Sequence, residues 1–212
     1  MFFIYQKFLT GIVFLLLMLC PSKISSAAHA DFTKIIFQPG STASLIENMS
    51  KDKIDQAFNN VRRKGFGWQH YTIYKDVPIR YEGNVVFSRA NRTYRELTFQ
   101  YTYESQNTAE SSVSVSGDIN LTISGKIKQI NGSLNGKIRK EIGEKTKLVI
   151  DEQIRTTFLI PPYTKLTVQL KGEARLNNGV AKYFFLGMRF KKGTWEIIDK
   201  VTEYYDYYEE TI

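Results

Sequence analysis

The side chains that usually carry catalysis are scarce in this chain. Cys20 is the only cysteine, and His29 and His70 are the only histidines, in 212 residues. Cys20 and His29 lie in an N-terminal stretch with the marks of a removable leader, which leaves His70 alone. The remainder then has no thiol nucleophile, no pair of imidazoles to hold a metal, and one imidazole base. His70 stands in an aromatic stretch, where a core or surface role suits it better than a catalytic one. G-x-S-x-G, G-x-x-x-x-G-K-[ST] and the dinucleotide fingerprint are all absent from the sequence. Glu203, Asp206, Glu209 and Glu210 form the densest acidic run, where paired carboxylates would have to work if they worked anywhere. A solvated terminal face accounts for that run at less cost. The chain is therefore expected not to be an enzyme and to need neither metal nor cofactor; a hydrolase ranks third among the readings below.

The leader is read from residues 1–30. Lys7 is its basic flank, residues 8–20 are apolar or weakly polar, and Ala28-His29-Ala30 is a small-x-small cleavage site. The apolar run falls short of the about 20 residues that a spanning helix needs. Cleavage is expected after Ala30, with secretion of the remainder, and Leu19 is too bulky before Cys20 for lipoprotein processing to be the better reading. Removal takes Lys7 and Lys23 and no acid, so the formal charge of +8 falls to +6. Without a disulfide, packing and sheet pairing must hold the fold. A basic secreted protein suits anionic surfaces, whether acidic lipid, glycan or an envelope polymer such as teichoic acid, and makes nucleic acid the poorest fit. A basic surface with no specific ligand is an equally good reading.

The element that would position a membrane-active site is the stretch 112–150. On its first arm Val113, Val115, Ile119, Leu121, Ile123 and Ile127 occupy odd positions, with Ser, Thr, Asn, Asp and Lys between them. Successive strand side chains point to opposite faces, so this is a strand with one apolar and one wet face. After Lys128 the parity changes: Ile130, Leu134, Ile138, Ile142, Leu148 and Ile150 are even. A two-residue turn pairs i with i+3, which sets odd against even. Asn131-Gly132 sits at the change and supplies the positive φ of a type I′ turn. The expected hairpin then faces Ile127 with Gly136, Leu121 with Ile142, Val115 with Leu148 and Val113 with Ile150. Asn135-Gly136 is a rival turn of the same parity.

Elsewhere, Ile35-Ile36-Phe37 before Pro39-Gly40 reads as a short strand and turn. Ile54, Ala57, Phe58 and Val61 form the buried stripe of a helix capped by Ser50 and closed by Gly65. A short preceding helix over residues 41–49 is the one other helix expected. Trp68, Tyr71 and Tyr74 lie in an aromatic cluster. They are candidates for receptor or headgroup contact, against the plainer reading of a core between helix and sheet. Tyr94 through Ile127 reads as a nearly continuous strand. Asn177-Asn178-Gly179 and Lys191-Lys192-Gly193 read as turns of a C-terminal meander.

Two roles suit a hairpin with one apolar face. It packs permanently on the protein, or it is stowed and later meets lipid in a closed barrel, the β-structure that satisfies all backbone groups inside a bilayer. Such a hairpin between long strands, followed by the Thr157-Phe158-Leu159-Ile160-Pro161-Pro162-Tyr163-Thr164-Lys165-Leu166-Thr167-Val168-Gln169-Leu170 stretch, resembles the pore-forming module of the aerolysin family, in its epsilon-toxin and mosquitocidal-toxin branch. The likeness covers residues 94–176. It implies an elongated twisted sheet, a secreted monomer, guidance by membrane lipid or a cell-surface receptor, a homo-oligomer on the membrane, and a barrel with one hairpin per protomer. Val113, Val115, Ile119, Leu121, Ile123, Ile127, Ile138, Ile142, Leu148 and Ile150 would then face lipid.

The expectation is a mainly β fold, an elongated twisted antiparallel sheet with one packed N-terminal amphipathic helix. Residues 31–93 form an aromatic-rich lobe and 94–212 the long β-domain. The expected function is membrane binding and pore formation, with binding of an anionic envelope polymer as the alternative.

Overall fold

A computed structural model describes residues 29, 32–108, 111–123, 127–130, 132–143 and 149–212. The protein is mainly β. In chain order the elements are β1 (Lys34–Phe37), α1 (Lys51–Asn60), β2 (Gly67–Asn91), β3 (Leu97–Thr108), β4 (Ser111–Gly117), β5 (Asn120–Ile123), β6 (Ile127–Ile130), α2 (Gly132–Ile142), β7 (Val149–Ile160), β8 (Thr164–Phe185) and β9 (Met188–Thr211). A five-stranded antiparallel sheet runs in the order β1-β2-β8-β9-β4, and β3–β7 and β5–β6 form two further antiparallel ribbons. β2, β8 and β9 are 25, 22 and 24 residues long. At about 3.3 Å per residue that makes the sheet on the order of 70–80 Å long.

Alternation along β8 shows how the sheet is covered. Val180 and Phe184 are buried on one face by Ala57, Phe58 and Val61 of α1 and its C-terminal cap. Ala181 faces the other way, into a cluster with Trp68, Trp195 and Ile197 of the sheet and Val115, Ile119, Ile130, Leu134 and Ile138 from β4 to α2. The sheet is thus sandwiched at this end between α1 and the segment that connects β3 to β7. At the other end the β3–β7 ribbon packs Ile160, Phe99 and Phe158 against Leu166, Val168 and Phe87. β1 and Leu45 cover Ile79, Leu176 and Ile198 between them.

Several expectations change. α1 begins where expected, with the Ser50 hydroxyl accepting from the Lys53 amide, but it ends at Asn60, well before Gly65, where the Val61 amide bonds back to the Phe58 carbonyl. The short helix expected over residues 41–49 is a single 3-10 turn at Ile46–Asn48. The stretch from Tyr94 to Ile127 is divided among β3, β4, β5 and the start of β6; β3 pairs with β7, β4 with the edge of β9, and β5 with β6. The boundary drawn at residue 93 falls at a turn between strands, and β2 pairs with β8 along nearly its whole length.

The largest change is at Gly132. It opens the helix α2 rather than turning a hairpin, so the return arm that was to begin there is helical to Ile142. Asn131 and Leu148 lie outside the described residues. The physical reason is the spacing of Ile130, Leu134, Ile138 and Ile142: four residues apart, they line one face of a helix as well as one face of a strand. On the helix, Leu134 and Ile138 reach full burial against the sheet. The partners differ accordingly: Val113 faces Ile197, Val115 faces Trp195, Leu121 faces Gln129, Ile123 faces Ile127 and Ile150 faces Asn107.

Asn177-Asn178-Gly179 and Lys191-Lys192-Gly193 lie inside β8 and β9 instead of at turns. Asn178 is buried and donates to Glu196 Oε2 (3.0 Å) and the Ser44 carbonyl (3.1 Å). Gly193 lets β4 come close: a Cβ there would stand 2.2 Å from the Ser116 carbonyl. The turn between β8 and β9 is Leu186-Gly187, with φ of 50° and 72°.

Candidate functional site

The insert from β4 to α2 is where the sequence and the fold converge, because it holds most of the residues with a membrane-facing pattern. Val115, Ile119 and Ile138 of the expected lipid-facing set are buried in one cluster, and Val113 and Ile142 are packed against it half-buried. For Leu121, Ile123, Ile127 and Ile150 the backbone positions are described, in β5, β6 and β7. Val113, Val115, Ile119, Ile138 and Ile142 are therefore stowed against the sheet.

Polar bonds hold it there. Glu141 near the end of α2 accepts from His70 Nε2 at 2.7 Å and from the Thr72 hydroxyl at 2.6 Å. Desolvation pushes the Glu141 carboxyl up, but the Thr72 hydroxyl and the His70 ring together outweigh it, and the pKa lies below the usual value. Arg139 Nη1 donates to Asp199 Oδ1 at 2.8 Å, and the Ser111 hydroxyl of β4 donates to the same oxygen. Lys137 Nζ donates to the Trp68 carbonyl at 2.6 Å. Burial, with the nearby charge of Lys64, lowers the Lys137 pKa. His29 joins these ties, its ring bonding Ser112 Oγ and Glu196 Oε1, both at 2.8 Å. Cleavage after Ala30 would remove that ring from Ser112 and Glu196.

Lys137, Arg139 and Glu141 were not singled out in the sequence. Their signal was present as the polar positions between Leu134, Ile138 and Ile142, but their partners lie far along the chain. His70 serves as a tether for α2, with its ring edge toward Trp195 at 6.1 Å between centroids. The three residues put forward for receptor or headgroup contact separate. Trp68 is buried, its ring edge-on to Tyr183, so the core reading fits it. Tyr71 is exposed. Tyr74 is half-buried, donating to the Thr42 carbonyl and accepting from Lys53 Nζ. They form no joint platform.

The ribbon that carries the insert has one further property. β3 and β7 pair without a bulge from Leu97 opposite Ile160 to Thr108 opposite Val149. Among the described residues no group of three metal-ligating side chains converges. No helix among them is long and apolar enough to cross a membrane. No protein-family model matches the chain, and no curated protein matches it in sequence.

Proposed function

We propose that the protein inserts into membranes and forms pores, by releasing the insert and re-pairing it as an extension of the β3–β7 ribbon. The register of that ribbon is the observation that carries the reading. Continued past Thr108 and Val149 without a bulge, it sets Val115 opposite Ile142, Ile119 opposite Ile138, Ile123 opposite Leu134 and Ile127 opposite Ile130. Lys128-Gln129 becomes a two-residue turn, three residues before the Asn131-Gly132 expected from sequence. Gly125 meets Gly132 and Leu121 meets Gly136. On the other face Asp118 meets Arg139, and Asn120, Thr122, Ser124 and Lys126 meet Lys137, Asn135, Ser133 and Asn131.

A membrane-spanning strand needs about 9–11 residues, apolar outward and polar inward. Residues 119–127 and 130–138 supply nine each and carry no charge on the apolar face. Lys140, which falls on that face, comes opposite Gly117 and so lies outside the span, at the interface. Closure of several such hairpins into a barrel would satisfy their backbone groups in lipid.

Cysteine pairs distinguish the two states in a Cys20→Ser background. Thr122 pairs with Lys128 in β5–β6, so Thr122→Cys with Lys128→Cys locks the stowed form. Thr122→Cys with Asn135→Cys closes only in the extended one. The expected result is dye release from liposomes that the first disulfide blocks and reduction restores, with the second disulfide forming only when membranes are present. Dye release undiminished by the first lock would overturn the proposal.

A further inference from the structure

The turn between β8 and β9 is built against the rules for a soluble hairpin. Leu186 and Gly187 are its two central residues, both at positive φ. A type I′ turn takes Asn or Asp before Gly, and a bulky side chain in the left-handed region costs the backbone energy that Asn avoids. The sequence nevertheless keeps leucine there, 63 % exposed. Around it Phe66, Phe185, Met188 and Phe190 are also exposed, Phe190 most of all at 70 %. The register shift between Tyr183 and Phe184 leaves Phe190 as the unpaired bulge residue, a device that re-aims a side chain. Phe66 stacks edge-on against Phe185 at 5.4 Å, and the Gly187 amide and carbonyl bond to the Gly65 carbonyl and Arg63 Nε, so the two segments form one surface.

Cations surround this apex. Arg62, Arg63, Lys64, Arg189, Lys191 and Lys192 are exposed. Neither residues 56–75 nor residues 174–195 include an acid. None of these six cations pairs with a carboxylate among the described residues. Burial and the charges of Arg189 and Lys192 lower the pKa of neighbouring Lys182, as a positive field without nearby compensation would. At about 3.3 Å per residue, residues 185–190 all lie within about 10 Å of the apex, the depth to which an interfacial apolar element enters the headgroup boundary.

We propose that this end of the sheet is a docking surface for a bilayer with anionic headgroups, in which Leu186, Met188, Phe190 and the Phe66–Phe185 pair enter the interface while the surrounding cations meet the lipid charge. The surface is separate from the insert, and docking does not require pore formation. Exposed apolar residues at an apex with a basic rim match a charged interface better than a soluble anion, which would leave the leucine and phenylalanines without a role.

The test is co-sedimentation with phosphatidylglycerol–phosphatidylcholine vesicles and with phosphatidylcholine alone, each variant compared with the parent chain in the same form. The parent is expected to bind the anionic vesicles more tightly. Leu186→Asn should weaken that binding about tenfold while melting at the same or a higher temperature, because asparagine suits the turn; loss of binding then cannot be loss of fold. Arg189→Gln with Lys191→Gln should weaken it about 25-fold at low salt, at about fivefold per cation, and leave phosphatidylcholine binding unchanged. Equal binding to the two vesicles, unchanged binding by Leu186→Asn, or binding to a soluble anionic polymer but not to vesicles would each overturn the proposal.

Discussion

Truncation of Leu134 to alanine is expected to loosen α2 while leaving the long sheet closed. Leu134 is fully buried, in the cluster that joins Ile130 and Ile138 to Trp68 and Trp195. Leu→Ala at such a site costs about 2–5 kcal/mol, part of it lost transfer energy and part the cavity left behind. Taking about 3 kcal/mol, the equilibrium between docked and released α2 shifts by about 100-fold. The sheet does not share the loss, because its ladders between β2, β8 and β9 do not pass through the insert. Native-state hydrogen exchange reads the two separately. Amides of residues 134–142 should exchange about 100-fold faster in Leu134→Ala, and those of residues 174–181 in β8 at the parent rate. Loss of protection by both regions together would mean that the insert opens only with the whole fold. An unchanged α2 would mean that the leucine does not hold it. Either result refutes the reasoning.

Two further outcomes follow from the same contacts. Because the Glu141 pKa is lowered in the folded protein, its contribution is present above the ordinary carboxylate range and lost as pH falls through the lowered value. Acid should therefore release α2, seen as a shift in emission from Trp68 and Trp195, and Glu141→Gln should flatten that dependence; an unmoved acid transition would count against the tether. Gly193→Ala should displace β4, since the new methyl would press on the Ser116 carbonyl and on Ile119. At about 2 kcal/mol for overpacking the melting temperature should fall roughly 6 °C, whereas Gly65→Ala, where a Cβ meets nothing within 4 Å, should melt near the parent.

How much of this was legible in the sequence differs along the chain. The mainly β class, β1 and the start of α1 follow from alternation, helical spacing and a capping serine. The first arm of the expected hairpin was readable as strand, because strict alternation from Val113 to Ile127 has no helical counterpart, but not as one strand: it is divided among β4, β5 and β6, and β6 turns back on β5. The second arm was not. Ile130, Leu134, Ile138 and Ile142 satisfy both periods, and only the sheet beneath them, with Trp68, Ala181 and Trp195, decides for the helix. The Asn- and Gly-containing tripeptides misled for a related reason. Asn178 is used for its amide, which bonds Glu196, and Gly193 for the closeness of Ser116. Those partners lie on other strands, and a local reading assigns the same residues to turns. The Leu186-Gly187 turn had the opposite problem, since nothing in Phe-Leu-Gly-Met announces a bend.

β4 does more than fill space at the edge of the sheet. Along Gly193–Asp199 it occupies the open hydrogen-bonding side of β9, which would otherwise invite any extended chain to join. While it stays, the molecule is protected from self-association along that border. Whatever draws β4 away uncovers a row of unmet donors and acceptors beside the buried carboxylates of Glu196 and Asp199. The same strand is thus the guard on the molecule's own adhesive margin.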